Sequence, residues 1–309
     1  SFRSAAETYG VAVGYCLSGS LLAVINKWAV TVFPYPGPLT ALQYATCVLG
    51  VLTAGRLDFI QHERIDLATT VRFLPAAAMF YLSVFTNSEL LLHANVDTFV
   101  VFRSATPIFV AAGESLFLSQ PWPRLNTWLS LATIFGGSLI YVAADRDFIT
   151  VTAYAWASAY LLCMTVDFVY VKHVVMTIGL STWGLVLYNN LEALFLFPLE
   201  LLVMGELKTM AAADDDAAGS YWLQVVPPVA LSCIFGLSIS FFGFACRKAV
   251  SATGFTVLGT VNKLLTILIN LLVWDKHSNF MGTVGLLVCI GGGILYQQST
   301  VSKPDDARD

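Results

Sequence analysis

Arg103 and Lys263 each sit well inside a long apolar stretch of the sequence. An ionised side chain at the centre of a bilayer costs about 2.5–3.5 kcal/mol on insertion scales, so such a residue faces a cavity or a partner. Two cations facing one cavity match the charge of a diphosphate. Internal pairing is the alternative, with Glu89, Glu114 and Glu192 as the acidic candidates. A second constellation is Tyr188-Asn189-Asn190, two adjacent amides inside another apolar run. Their donors and acceptors must be satisfied in a dry region. The edge of a purine such as guanine offers complementary groups, and Tyr188 can add a ring face. Hydrogen bonding between helices explains adjacent asparagines as well, and on spacing alone it is the stronger reading. Gly259-Thr260-Val261-Asn262-Lys263 differs in kind. Gly259 permits close backbone approach, while Asn262 and Lys263 place a neutral and a charged donor on one turn. Asn26-Lys27 and Asn87-Ser88 are weaker candidates, since Lys27 can snorkel to an interface.

Catalytic and metal-binding signatures are absent from the sequence. H-E-x-x-H, G-x-S-x-G and Walker-type loops do not occur. The six cysteines are scattered through apolar runs without a C-x-x-C pair, which reads as small apolar packing rather than zinc or redox chemistry. His93, His173 and His277 fall at the ends of apolar stretches and His62 in a linker, an interfacial distribution. No basic cluster of the size that nucleic-acid binding needs is present. A membrane-embedded transferase would need a paired acidic or metal-binding cluster. Asp145 and Asp147 at a short turn are the only candidates, and an interfacial loop explains them more simply. The expectation is a protein that is not an enzyme and takes no cofactor or metal.

The elements that must position these residues follow from composition. The 309 residues are 57% hydrophobic and 12% charged, with mean hydropathy +0.73. A soluble domain carries about 25% charged residues, so the solvent here is a bilayer. A hydrocarbon core of about 30 Å takes about 20 apolar residues in helical form. That ruler predicts spans near 9–31, 37–55, 71–92, 96–118 and 125–143. Five more follow near 149–172, 181–204, 221–245, 252–274 and 279–297. Breakers separate them: Pro34-Tyr35-Pro36-Gly37-Pro38, Gln120-Pro121-Trp122-Pro123, Asp145-Arg146-Asp147 and the acidic run 214–216. Long continuous apolar runs exclude a β-barrel, and residues 1–7 lack the pattern of a cleaved signal. Arg3, Arg56, Arg64, Arg72, Arg124, Lys172, Arg247, Lys248, Lys303 and Arg308 fall on the side that holds both termini. The other side has Arg146, Lys208 and Lys276, with Lys27 near it. The positive-inside rule then places both termini in the cytosol.

The spans also repeat. Gly136-Gly137-Ser138-Leu139-Ile140-Tyr141 resembles Gly291-Gly292-Gly293-Ile294-Leu295-Tyr296 at an offset of 155. Phe99-Val100-Val101 lines up with Phe255-Thr256-Val257, and Tyr15 and Lys27 with Tyr160 and Lys172. An odd number of spans per half inserts the halves in opposite orientation, and such inverted repeats place a solute site at mid-membrane. The expected fold is an all-α membrane protein of ten transmembrane helices built as two inverted five-helix repeats. They run over about 8–145 and 148–298 of a single domain 1–309, with a polar tail at 299–309. In this alignment Lys263 pairs with Pro107, one helical turn from Arg103. Gly10-x-x-x-Gly14 fits close helix packing; a homodimer stays open.

Three stretches carry a resemblance: Phe33-x-Tyr35-Pro36-Gly37 followed by Leu39-Thr40-Ala41-Leu42-Gln43, then Tyr188-Asn189-Asn190, then Gly259-x-x-Asn262-Lys263. Together they resemble the nucleotide-sugar transporters of the drug/metabolite transporter superfamily. Within it the chain is similar to the GDP-sugar group, whose paired motifs read F-Y-N-N and G-A-L-N-K. Residues 184–206 and Trp274-Asp275-Lys276-His277 look most like the green-plant branch of GDP-sugar carriers. The resemblance runs from about residue 10 to 300. It implies an antiporter in the Golgi membrane, surrounded by lipid, that imports GDP-sugar into the lumen and returns GMP. It implies that Asn189 and Asn190 read the guanine beside Tyr188, and that Ser240 in the eighth span lines the nucleotide site. The ninth-span motif, Gly259 and Thr260 through Asn262 and Lys263, would serve the sugar and phosphate end. Arg103 occupies a place where relatives have Lys. Leu187 stands where the first motif opens with Phe, Thr260-Val261 where the second has Ala-Leu, and Phe255 where mannose-type relatives have Tyr near the ribose. Triose-phosphate translocators, distant relatives, have Lys-Arg in the ninth span, whereas Lys263 is followed by Leu264. A carrier for sugar phosphates or other organic phosphates is the competing reading.

Overall fold

The computed structural model describes residues 2–93, 96–142, 150–204, 221–273 and 280–301. Among them there are ten helices and no strand. In chain order they are α1 (Phe2–Val32), α2 (Pro36–Arg56), α3 (Leu67–His93), α4 (Val96–Phe117) and α5 (Leu125–Val142). Then come α6 (Val151–Thr177), α7 (Thr182–Met204), α8 (Tyr221–Ala249), α9 (Ala252–Val273) and α10 (Phe280–Val301). Each apolar run expected to span is met by one helix. In lipid every backbone N–H and C=O needs a partner, and a helix supplies it within the segment. Long apolar stretches therefore fold as helices even with Pro75, Pro107, Pro198 and Pro227-Pro228 inside them. Pro36 opens α2 at a position where its missing N–H has no cost. Gly179, at φ +74, turns the chain beyond α6. Helices α1, α2, α6, α8 and α10, with residues 67–87 of α3, are long and apolar enough to cross a membrane. Helix α4 carries Asp97, Arg103 and Glu114. Asp145 and Asp147, residues 205–220, 274–279 and 302–309 lie outside the described residues, as does the side chain of Lys263.

The chain forms two compact units, each drawn from both halves of the sequence. The first comprises residues 1–78 and 174–249. Within it α1 packs on α8, α2 on α7 and α8, and α7 on α8. Leu39, Val51, Phe73, Leu185, Val186 and Leu187 are among its most deeply buried apolar side chains, each at most 2% exposed. Gly14 lies against the Phe242 ring, where a Cβ would not fit, and Gly10 has open space around it.

The second unit comprises residues 79–173 and 250–309. Here α5 packs on α10, α4 on α5 and α9, and α9 on α10. Ala111, Leu131, Ile134, Val257 and Tyr296 form a buried cluster across these four helices. The α5–α10 seam is closed to backbone distance. A Cβ on Gly137 would lie 2.7 Å from the Cys289 nitrogen and 2.8 Å from the Gly285 oxygen. One on Gly292 would lie 2.9 Å from the Ile134 nitrogen and 3.2 Å from the Ser130 oxygen. Gly137 and Gly292, Ile134 and Cys289, and Ser130 and Gly285 are each 155 positions apart, so the two sides of the seam touch through equivalent residues. The Cys289 thiol also donates to the Ile134 carbonyl at 3.1 Å.

Helices α7 and α9, which carry the asparagine and lysine motifs, begin with the same construction. The first four N–H groups of a helix have no partner within it, and its N-terminus attracts negative charge. At α9, Glu114 of α4 takes the amides of Ala252 and Thr253 at 2.6 and 2.9 Å and the Thr253 hydroxyl at 2.5 Å. Ser251 caps the Gly254 amide at 2.9 Å, and its carbonyl accepts from Phe255. Lys172 of α6 donates to the Val250 carbonyl at 2.6 Å. At α7, Glu63 of the α2–α3 linker takes the amide and hydroxyl of Ser181 at 2.7 and 2.8 Å. Ser181 caps the Gly184 amide at 3.0 Å, and Lys248 of α8 donates to the Leu180 carbonyl at 2.5 Å. Gly184 has no Cβ because the Glu63 carboxylate occupies that space. Burial alone would raise the Glu63 pKa, but Ser181, the backbone of Glu63 itself and the nearby Lys248 together outweigh it and hold the carboxyl below its ordinary value.

Candidate functional site

In the first unit the polar side chains inside the helices form rungs between α2 and α8. Gln43 donates through Nε2 to Asn26 Oδ1 at 3.1 Å and to Ser232 Oγ at 2.6 Å. The Ser232 hydroxyl donates to Asn26 Oδ1 at 2.6 Å, which closes a three-residue ring across α1, α2 and α8. Gly236 lies against the stem of Gln43, where a larger residue would crowd it. One turn along α2 and two along α8, the Cys47 thiol meets the Ser240 hydroxyl. Asn190 joins from α7, donating through Nδ2 to Ser240 Oγ at 3.3 Å and to the Val186 carbonyl at 2.8 Å. Asn190 and Ser240, expected on one nucleotide site, are thus brought together, and Asn190 is 1% exposed. Asn189, beside it, is half-buried.

Tyr188 is placed differently from the expected ring face. Its side chain is fully buried. Its hydroxyl accepts from the Asp66 amide at 2.8 Å and donates to the Arg64 carbonyl at 2.9 Å. Both bonds serve the linker ahead of α3, so Tyr188 fastens that linker to α7. Asn26 belongs to the Gln43 ring, while Lys27 is exposed near the end of α1.

In the second unit Arg103 of α4 is half-buried and donates through Nη1 to the Tyr160 hydroxyl of α6 at 3.1 Å. Both Glu114 oxygens serve α9, and Glu89 lies 4.0 Å from His93 on its own helix. Ser104 and Ser138 join α4 to α5 at 2.5 Å. Phe255 is buried against Phe168, with ring centroids 6.0 Å apart. Thr260 is buried and donates to the Thr256 carbonyl at 3.0 Å, the usual resting bond of a helical threonine. Asn262 is buried at 8% exposure and Gly259 half-buried, both on α9. Asn87 of α3 is half-buried, and its Oδ1 has no hydrogen-bond partner among the described residues.

Sequence reasoning did not find Ser232, Glu63, or the capping role of Glu114. Ser181 and Ser251, each followed by glycine three positions on, are the signal in the sequence that two helices begin there. The partners that bind those helix starts lie far off in the chain and leave no local trace.

The chain was compared with known proteins. Residues 10–297 match the profile of the Triose-phosphate Transporter family. The GDP-mannose transporter GONST3 of Arabidopsis thaliana is 68% identical over 308 residues, which covers 100% of this chain and 82% of that protein. GDP-fucose transporter 1 of the same plant is 51% identical over 299 residues, 96% of this chain and 87% of that one. A solved crystal structure at 18% sequence identity matches with a TM-score of 0.67 over 97% of this chain and 99% of its own, a likeness of fold.

Proposed function

Because the chain belongs to the Triose-phosphate Transporter family, we propose that it is a GDP-sugar carrier that exchanges cytosolic GDP-sugar for lumenal GMP by alternating access in the Golgi membrane. The ligand crosses without chemical change. The observation that carries the reading is the identity of 68% over the whole chain to a protein named as a GDP-mannose transporter. A GDP-fucose transporter at 51% supports the GDP moiety as the common element and leaves the sugar open.

In this reading ten spanning helices form two inverted repeats, with both termini cytosolic. The α5–α10 seam supports the duplication, since equivalent glycines meet equivalent backbone atoms across it. Asn189 and Asn190, with Ser240, read the guanine. Arg103 and Lys263 neutralise the diphosphate, with Gly259, Thr260 and Asn262 at the sugar end and Phe255 near the ribose. Tyr188 holds the α2–α3 linker, and Asn190 is kept in position by Ser240 until a base takes its amide. Exchange follows when the empty carrier reorients slowly and either nucleotide lowers that barrier.

The test is counterflow into liposomes holding purified protein and preloaded with GMP. GDP-mannose, GDP-fucose and GDP-galactose are offered singly, with UDP- and CMP-sugars as controls. Uptake of a GDP-sugar that depends on internal GMP is expected, lost in Lys263→Ala and weakened for every guanine ligand in Asn190→Ala. Failure of GMP and of every GDP-sugar to exchange would discard the reading. The family name favours a second reading, a carrier for phosphorylated sugars. It wins if the same liposomes exchange triose phosphate against inorganic phosphate and ignore GMP.

A further inference from the structure

We propose that Glu192 is a proton-binding site within α7, and that its protonation is linked to nucleotide binding at Asn189 and Asn190. The linkage rests on the carrier reading above, while the proton site itself rests on geometry. Glu192 is 3% exposed, and neither carboxylate oxygen has a hydrogen-bond partner among the described residues. The contrast with Glu63 and Glu114 is direct. Each of those carboxylates holds a helix start through both oxygens. Among the described residues Glu192 holds no helix start and no side chain, so their packing gives no account of why an acid stands there.

Among the described residues, the helices that pack on α7 place no cation on Glu192. α2 carries Tyr44 and Cys47 within its length and Arg56 at its end. α8 carries Cys233 and Cys246, then Arg247 and Lys248 at its end. Lys248 is bonded to the Leu180 carbonyl, and Arg247 lies 5.5 Å from the Phe244 ring centroid. The linker before α3 brings Arg64 and Asp66 against Tyr188. None of these bonds either oxygen of Glu192. An ionised carboxylate that is buried without a cation or donors loses its hydration uncompensated and takes up a proton instead. The neutral acid then offers one O–H donor and one acceptor oxygen.

Position gives the linkage its sign. Glu192 follows Asn189 by three residues, so the two share one face of α7. When that face opens to water, Glu192 can release its proton, COOH to COO⁻ plus H⁺. The resulting carboxylate adds negative charge beside the guanine end of the site and repels the net negative charge of the incoming nucleotide. The protonated form therefore binds nucleotide more tightly, and by reciprocity nucleotide binding draws a proton onto Glu192. An acidic compartment favours the bound state and an alkaline one favours release.

The experiment measures GDP-mannose affinity of the purified, reconstituted full chain from about pH 5.5 to about 8.5, where the ligand's diphosphate diester keeps one charge state. For the wild type, affinity should fall with rising pH by up to about tenfold per pH unit, the slope of one linked proton. In Glu192→Gln it should be flat, with thermal unfolding used to verify the fold and Glu192→Leu as a second variant. An equal pH dependence in wild type and both variants would overturn the linkage. Should neither GDP-mannose, any other GDP-sugar nor GMP bind at any pH, the carrier reading fails separately. Infrared titration of the unliganded protein then decides the site. A protonated-carboxyl band present in the wild type and missing from Glu192→Gln is expected, and identical spectra would overturn it.

Discussion

At the start of α9 the carboxylate comes from within a helix and is buried, whereas at the start of α7 it comes from a linker and is half-buried. The rest of the two constructions agrees: a capping serine, a glycine three residues on, and a lysine on the preceding carbonyl. Ser181 and Ser251 are 70 positions apart, an offset that belongs to neither copy of the duplicated pattern at 155. Duplication does not explain the likeness. A shared physical problem does, because a helix start with orphan N–H groups must find acceptors before it can be buried. The difference lies in dielectric. Glu114 works where water does not compete, and Glu63 where it does, so one fastening is stiff and the other can be tuned.

The contrast can be broken by substitution, beginning with the largest expected effect. Glu114→Gln removes the charge and turns an amide donor toward donors, and should cost about 3 kcal/mol. Thermal unfolding in detergent would show it as the largest drop in the series, and a wild-type midpoint would refute the assigned role. Lys172→Met and Lys248→Met each strip a charge-assisted bond from a carbonyl. The first, half-buried, should cost about 1.5 kcal/mol and the exposed second less than about 1 kcal/mol. A reversed order would break the burial argument. Glu63→Gln keeps one acceptor oxygen and should cost about 1 kcal/mol or less. Limited proteolysis within the α2–α3 linker, faster in this variant, reads it more directly than a global melt.

The smallest effect is a dependence on acid. The folded Glu63 carboxyl lies below its ordinary value of 4.5, so its contribution is complete above 4.5 and fades as pH falls through the folded value. A melting series across that window should show a loss in the wild type that Glu63→Gln lacks. Equal acid sensitivity in both would assign the loss to other groups.

The helices were legible because apolar length is written in consecutive residues. The runs at 96–118 and 252–274 became Val96–Phe117 and Ala252–Val273 with little movement of their ends. Gly137 and Gly292 are legible through their repeated context, whereas the backbone atoms each of them meets across the seam are not. Partnerships were not legible, because they join residues far apart in the chain. In the sequence Lys172 and Lys248 count only for the sign of their charge, whereas in the structure each reaches a backbone carbonyl at a helix start. The sequence offers Glu114 as an acidic partner for Arg103 or Lys263, whereas in the structure its oxygens take backbone amides of α9. Adjacency in the sequence groups Tyr188 with its asparagine neighbours, but a helix turns successive residues to different faces and the Tyr188 hydroxyl meets a linker.

The glycine contact between α5 and α10 has a practical use for following motion. With no side chain on Gly137 or Gly292, and Cys289 and Ile134 pressed against them, the two backbones have no slack in which to slide. Spectroscopic labels on the outer surfaces of these two helices should therefore report one constant spacing through every step of a transport cycle. That spacing supplies a built-in zero for the ruler, against which the travel of any other helix can be measured.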